Sequence, residues 1–221
     1  MHKIIKWIRN NALSLVFVLL FIFSFGGQAV TGWKEHNKER IEDGQPALSL
    51  HGYFSTGHFI QATFENWESE FLQMALFVVL TIFLRQKGSS ESKSIEEPEE
   101  VDREPNPHKK DAPWAVRQGG LILALYKHSL TIALFVLFAL SFVLHFYGSL
   151  KDENELLVMK GLPSEDWWQY LSNSRFWFES FQNWQSEFLS VLSIVVLSVF
   201  LREKGSPQSK PVDAPDSETG E

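Results

Sequence analysis

The sequence predicts an all-α integral membrane protein. The expected fold is a four-helix bundle of two tandem two-span repeats, with short external helical loops and a disordered central linker and tail. Three observations carry this. Apolar stretches long enough to be spans alternate with segments crowded by charge. The ten residues "FENWESEFLQ" that begin at Phe64 return as "FQNWQSEFLS" at Phe181. The two halves align without a gap at an offset of 117 residues, the distance between those two phenylalanines.

Average composition hides the pattern. A hydrophobic content of 44% and a mean hydropathy of -0.10 would suit a soluble chain, so the membrane reading rests on segregation alone. The 19 Phe and 8 Trp supply rings of the kind that gather at lipid interfaces. The net charge of -7 sits largely in the linker and the tail, and no segment offers the basic surface that nucleic-acid binding needs. The chain has no cysteine, which excludes disulfide staples, thiolate metal sites and cysteine nucleophiles.

The first repeat, residues 1–89, opens with a short amphipathic pattern at Ile4, Ile5 and Ile8. No formal charge then appears from Asn10 to Trp33, and "ALSLVFVLLFIFSFGGQAV" is a full-length span. A cleaved signal peptide would also show Lys3, Lys6 and Arg9 ahead of an apolar run and "GGQA". The repeat argues against that reading, because the matching segment at Ser129 lies mid-chain. Next, "KEHNKERIEDG" reads as a polar helix closed by Gly44, with Pro46 beyond it. The second span is shorter: fourteen residues, "FLQMALFVVLTIFL", lie between Glu70 and Arg85. That is roughly 21 Å of clean apolar helix, less than the hydrocarbon core. Soluble core helices have runs of this length too, but this one pairs with a full-length span and ends in Arg85 and Lys87. Starting the helix at Trp67 draws Glu70 into the membrane boundary.

Residues 90–117, charged and rich in Pro and Ser, read as a disordered linker. The second repeat, 118–206, runs through the same sequence of elements. Leu121, Ile122 and Leu125 fall over the entry isoleucines, Ser129 to Leu150 is the full-length span, and Glu187 to Arg202 brackets the short one. Trp167, Trp168, Tyr170, Phe176 and Trp177 read as an interfacial aromatic belt. The tail, 207–221, reads as disordered. Between Phe64–Ser89 and Phe181–Ser206, sixteen of twenty-six positions are identical. Two spans return the chain to its starting side, so the copies are expected to lie parallel about an axis along the membrane normal. The termini and linker hold fourteen Lys and Arg against six in the two loops, which places both termini in the cytoplasm.

The doubled motif is the candidate functional element. On a helix, Asn66, Ser69, Glu70 and Gln73 share one face, with Trp67, Phe71 and Met74 beside it. Asn183, Ser186, Glu187 and Ser190 repeat this beside Trp184, Phe188 and Val191. A polar stripe facing lipid is costly, so it faces protein or water. One reading is packing, in which these groups hydrogen-bond across the bundle. A second is a water-filled path for a small solute, cation or proton, lined by Glu70 and Glu187, and a third is catalysis or recognition of a partner. His145, which falls over Gln28, and Arg175, which falls over His58, are secondary candidates. Catalysis finds no support. The chain lacks a HExxH pair, a phosphate-cradling glycine loop and a GxSxG elbow. His51 and His58 are separated by Gly52 and Gly57, which interrupt any helix that would align them. No metal and no cofactor are expected. The expected partner is the lipid bilayer, and homo-oligomerisation stays open.

"NALSLVF", the doubled "NWESEFLQ" and "NWQSEFLS", "FLRQKGSSESK" and "GSPQSKPVDAPDSETG" together resemble a family of bacterial membrane proteins described as a domain of unknown function. The likeness runs nearly end to end. It implies a protein of the bacterial cytoplasmic membrane. Asn66, Trp67, Ser69 and Glu70, with Asn183, Trp184, Ser186 and Glu187, are the family-like positions.

Overall fold

A computed structural model of the protein describes residues 2–95 and 97–220. Its α-helices, in chain order, are α1 (His2–Asn10), α2 (Ala12–Glu42), α3 (Leu50–Tyr53), α4 (Gly57–Phe83), α5 (Trp114–Gln118), α6 (Gly120–Lys127), α7 (Ser129–Met159), α8 (Trp167–Leu171) and α9 (Ser174–Phe200). A single 3-10 turn covers Glu100–Asp102. No strand occurs among the described residues. Helices α2 and α7 are both 31 residues long, and α4 and α9 are both 27.

Three of the helices are long and apolar enough to cross a membrane: α2, α7 and α9. Their exposure fits lipid. Only 6% of the most apolar window of α2 is buried, and Leu13, Phe17, Leu19, Ile22 and Phe23 stand out from it. A bare apolar surface of that extent is sustained by hydrocarbon and not by water. Helix α4 matches α9 in length but does not reach the same apolarity. It carries Glu65 and Glu68 where α9 carries the neutral Gln182 and Gln185, in addition to Glu70, which falls over Glu187.

The apolar span of α2 and the polar helix after it are one continuous helix. Beyond Trp33, the last turns carry Lys34, Glu35, Lys38, Glu39, Arg40 and Glu42, so this part lies outside the apolar span. Gly44 stops the helix at a φ of 73°, with its own N–H donating to Ile41 O and the Gln45 N–H donating to Arg40 O. That is a glycine C-cap, and a side chain there would strain the backbone. Gly161 ends α7 in the same way, at a φ of 69°.

The chain divides into two compact units, and each takes residues from both halves of the sequence: Met1–Thr63 with Leu144–Tyr170, and Phe64–Val143 with Leu171–Glu221. The first unit has a small core of Ala29, Tyr53 and Phe59, against which Phe25, Trp33 and Leu50 pack. Two asparagines organise its loops. Asn37 Nδ2 donates to Leu48 O at 2.9 Å while its Oδ1 accepts from Leu48 N at 2.7 Å. Asn154 does the same with Glu165, at 3.0 and 2.7 Å. Each amide satisfies both backbone groups of one loop residue and ties the returning chain to the end of a long helix. Helices α4 and α7 meet through glycine. A Cβ on Gly57 would collide with the backbone of Asp152, and one on Gly148 with the backbone of Ile60 and Gln61. Small residues permit that approach between apolar helices.

In the second unit, Phe142 packs edge-on against the fully buried Phe176. Phe176 and Tyr170, both expected in an aromatic belt, are instead buried to 0% exposure, whereas Trp167 and Trp168 stand out at 55% and 80%. The linker and tail also differ from expectation. Composition denied them an apolar core, but hydrogen bonds take its place: in the linker Ser90 Oγ donates to Gln208 O and Ser94 N to Glu99 Oε1, and the tail is tied to the end of the first repeat. Gly88 N donates to Thr219 Oγ1 and Gly220 N to Ser89 O. Lys210, only 2% exposed, donates through Nζ to the carbonyls of Pro215, Asp216 and Glu218. The chain thus folds polar turns around a buried ammonium.

Candidate functional site

The doubled motif lies in the second unit, on α4 and α9. Its burial pattern is turned relative to the expected stripe. Ser69 is buried, Asn66 and Glu70 are exposed, and the neighbouring Glu68 is fully buried. Glu68 accepts a hydrogen bond from Trp184 Nε1 at 2.8 Å, so a residue of the first motif meets a residue of the second. In the second copy Ser186 is exposed, while Asn183, Trp184 and Glu187 are half-buried. Both motif serines bond backward along their helices: Ser69 Oγ donates to Asn66 O at 2.8 Å, and Ser186 Oγ to Asn183 O at 2.7 Å. Back-bonding of this kind satisfies a hydroxyl where water is scarce. Asn183 Nδ2 donates to Glu179 O at 3.0 Å. Trp67 stacks edge-on against Phe64, as Trp184 does against Phe181. Glu70 on α4 and Glu187 on α9 are close enough for each to feel the other's charge. Of the secondary candidates, Arg175 forms an ion pair with Glu179 at 2.8 Å, and His145 is fully buried on α7.

A second constellation, which sequence reasoning missed, occupies the first unit. His36 and Glu39 sit three residues apart on the polar end of α2, on one face. His58 is the second residue of α4. The His36 and His58 rings stack with centroids 4.8 Å apart, and ligand atoms of His36, Glu39 and His58 all lie within 4.8 Å of one another. His36 is 8% exposed, and its Nε2 has no hydrogen-bond partner. Burial, and then the neighbouring His58, hold the His36 imidazole below its ordinary pKa. Tyr53 lies against both rings, and its hydroxyl stands 3.0 Å from His58 Nδ1. Burial, and then the charge of Asp152, push the Tyr53 phenol up to about 12, so it stays protonated. Gly32 makes room for that hydroxyl, because a Cβ there would collide with it. The sequence signal was His36-x-x-Glu39, a spacing that one helix turns to one side. Its partner lies twenty-two positions after His36, beyond a loop whose return path no local pattern reveals.

The first unit also holds an open cavity of about 740 Å³, whose lining includes Arg40, Tyr147, Lys151, Asn154, Glu155 and Trp167. Its polar groups carry both signs of charge, so it selects no single class of ligand.

Compared with known proteins, the chain matches one family model over residues 4–221, that of a domain of unknown function (DUF6766). No curated protein and no solved structure matches it. With nearly its whole length covered by that match, the chain belongs to this family.

Proposed function

We propose that the chain is a non-enzymatic integral membrane protein of four spans, built as two parallel two-span repeats, in which the doubled motif holds the helices together. The carrying observation is the contact between Trp184 Nε1 and the buried carboxylate of Glu68. A carboxylate facing lipid is expensive, and one accepting an indole N–H inside protein is satisfied. That burial supports α4 as the fourth span despite its acids. The repeat is supported by helix bounds: shifting α2 and α4 by the 117-residue offset lands on α7 and α9. It is also supported by the matched asparagine clamps and C-cap glycines. The Lys and Arg distribution favours termini on the cytoplasmic side, and the family resemblance favours a bacterial cytoplasmic membrane. Helices α1 and α6, with Ile4, Ile5, Leu121 and Leu125 exposed, suit the membrane interface.

A double-mutant cycle tests the packing role. Glu68→Leu and Trp184→Phe should each destabilise the detergent-solubilised protein, by roughly 1–3 kcal/mol for a buried charge-assisted bond. The double variant should fall short of their sum by at least about 0.5 kcal/mol. Additive losses would remove the contact from the account.

The interaction of Glu70 with Glu187 favours a second reading, an ion or solute path along these acids. Against it stands the neighbouring cleft of about 300 Å³, which Gln73 lines with Leu76, Phe77, Leu80, Phe188 and Val191, a wall too apolar to hydrate an ion. The combined Glu70→Gln, Glu187→Gln variant in proteoliposomes decides between the two. A path loses flux with folded yield intact, and the packing reading has no flux to lose.

A further inference from the structure

We propose that His36, Glu39 and His58 form a binding site for one divalent transition-metal ion of the zinc class. The site lies where the polar end of α2 meets the start of α4, outside the apolar span. Three observations converge. The ligand atoms already stand within 4.8 Å of one another. Donors bound to one tetrahedral ion need to be closer than that by only about 1–1.5 Å, since each lies roughly 2.0–2.2 Å from the metal. His36 presents a buried ring nitrogen, Nε2, with no partner. Buried polar atoms in native proteins are nearly always satisfied, so an unpartnered ring nitrogen beside a second imidazole and a carboxylate marks a place for a cation.

The donor set selects the ion. Two imidazoles and one carboxylate suit zinc and its neighbours, whereas calcium and magnesium take oxygen ligands. Three protein ligands leave a fourth tetrahedral position open to water. Burial grades across the site, from His36 at 8% exposure through half-buried His58 to exposed Glu39. The ion therefore enters from the Glu39 side. Tyr53 is the positioning residue: its oxygen stands 3.0 Å from His58 Nδ1, and with the proton on Nδ1 it accepts that N–H and leaves Nε2 free for the metal. Bound there, the ion would clamp the loop from Glu42 to Gly57 at its base. The site belongs to the first half alone, because His36, Glu39 and His58 fall over Glu153, Leu156 and Arg175. This departs from the expectation, drawn from motifs within single segments, that the chain holds no metal.

The test titrates the untagged, chelator-stripped full chain in detergent with Zn2+ by calorimetry, and with Co2+ by visible absorption. The expected result is one ion per chain and the strong ligand-field bands of tetrahedral cobalt. His58→Ala should abolish binding, and Glu39→Gln, at an exposed position that leaves the fold intact, should weaken it at least roughly 10-fold. His51→Ala, a histidine outside the cluster, should leave it unchanged. Zn2+ should also raise the melting temperature of the parent and not of His58→Ala. Absence of saturable binding, or equal affinity in the parent and Glu39→Gln, overturns the proposal.

Discussion

The glycine contact between α4 and α7 yields a prediction whose sign reverses between two glycines of different long helices. A Cβ at Gly148 would lie 2.8 Å from Ile60 Cγ2 and 2.9 Å from Ile60 C, and closer still to Gln61 N. Two of these atoms are backbone and cannot rotate away, so the helices must part. Overpacking of this kind costs about 1–3 kcal/mol. Against it, Ala exceeds Gly in helix propensity by roughly 1 kcal/mol, leaving a net loss of up to about 2 kcal/mol. Gly26 on α2 has nothing within 4 Å of its Cβ position, so Gly26→Ala collects the propensity gain alone. The two variants should therefore differ by about 1–3 kcal/mol, with opposite displacements from the parent. Denaturant unfolding in micelles, followed by tryptophan fluorescence, measures this. Gly57 lies across the same contact, so Gly57→Ala with Gly148→Ala should lose less than the two single changes combined. If Gly148→Ala proved as stable as Gly26→Ala, the close approach of α4 and α7 would be wrong.

Other expectations concern the loops and tail. Asn37→Ala and Asn154→Ala each remove two hydrogen bonds and leave backbone groups unpaired, and each should lower unfolding stability by roughly 1–3 kcal/mol. Asn37→Asp sets a carboxylate oxygen against the Leu48 carbonyl at a buried position, so it should destabilise at least as much as Ala. Tyr170→Phe deletes the hydroxyl that meets Ser149 Oγ in a buried pair, with an expected loss of about 1 kcal/mol. Lys210→Met removes the ammonium that gathers three carbonyls, so limited proteolysis should cut the tail faster while the melting temperature of the helices holds.

The pattern of long helices was legible in the sequence because each is written as a run of side chains facing one solvent. The glycine stop at Gly44 was legible because only a glycine adopts that φ without strain. The phase of α4 was not. Its 3.6-residue period places Asn66, Ser69, Glu70 and Gln73 together, but polar and aromatic residues lie on every side of the motif. Period alone therefore could not decide that Glu68 would turn inward and Glu70 outward. The departure between the copies held the clue, since Glu68 falls over Gln185 and has no acidic partner in the repeat. The His36, Glu39 and His58 cluster and the Lys210 cage depend on contacts across loops, where side-chain periodicity carries no information. Tyr53 and Tyr170 occupy matched positions at the 117-residue offset, but their burial follows from the asparagine clamps that fold the loops back, and neither amide stands out by residue type.

The most direct test of the packing account uses the absence of native cysteine. Ser69→Cys introduces one thiol at a position only 2% exposed, and Ser164→Cys introduces one at an exposed position of the loop between α7 and α8, on the proposed outer side, as a labelling control. A membrane-impermeant thiol reagent is added to intact cells and the reaction followed over time. The account predicts prompt labelling of Ser164→Cys and none of Ser69→Cys until the protein is unfolded. Prompt labelling of Ser69→Cys in the folded protein would mean that water reaches the doubled motif, and the packing account would give way to the path along Glu70 and Glu187.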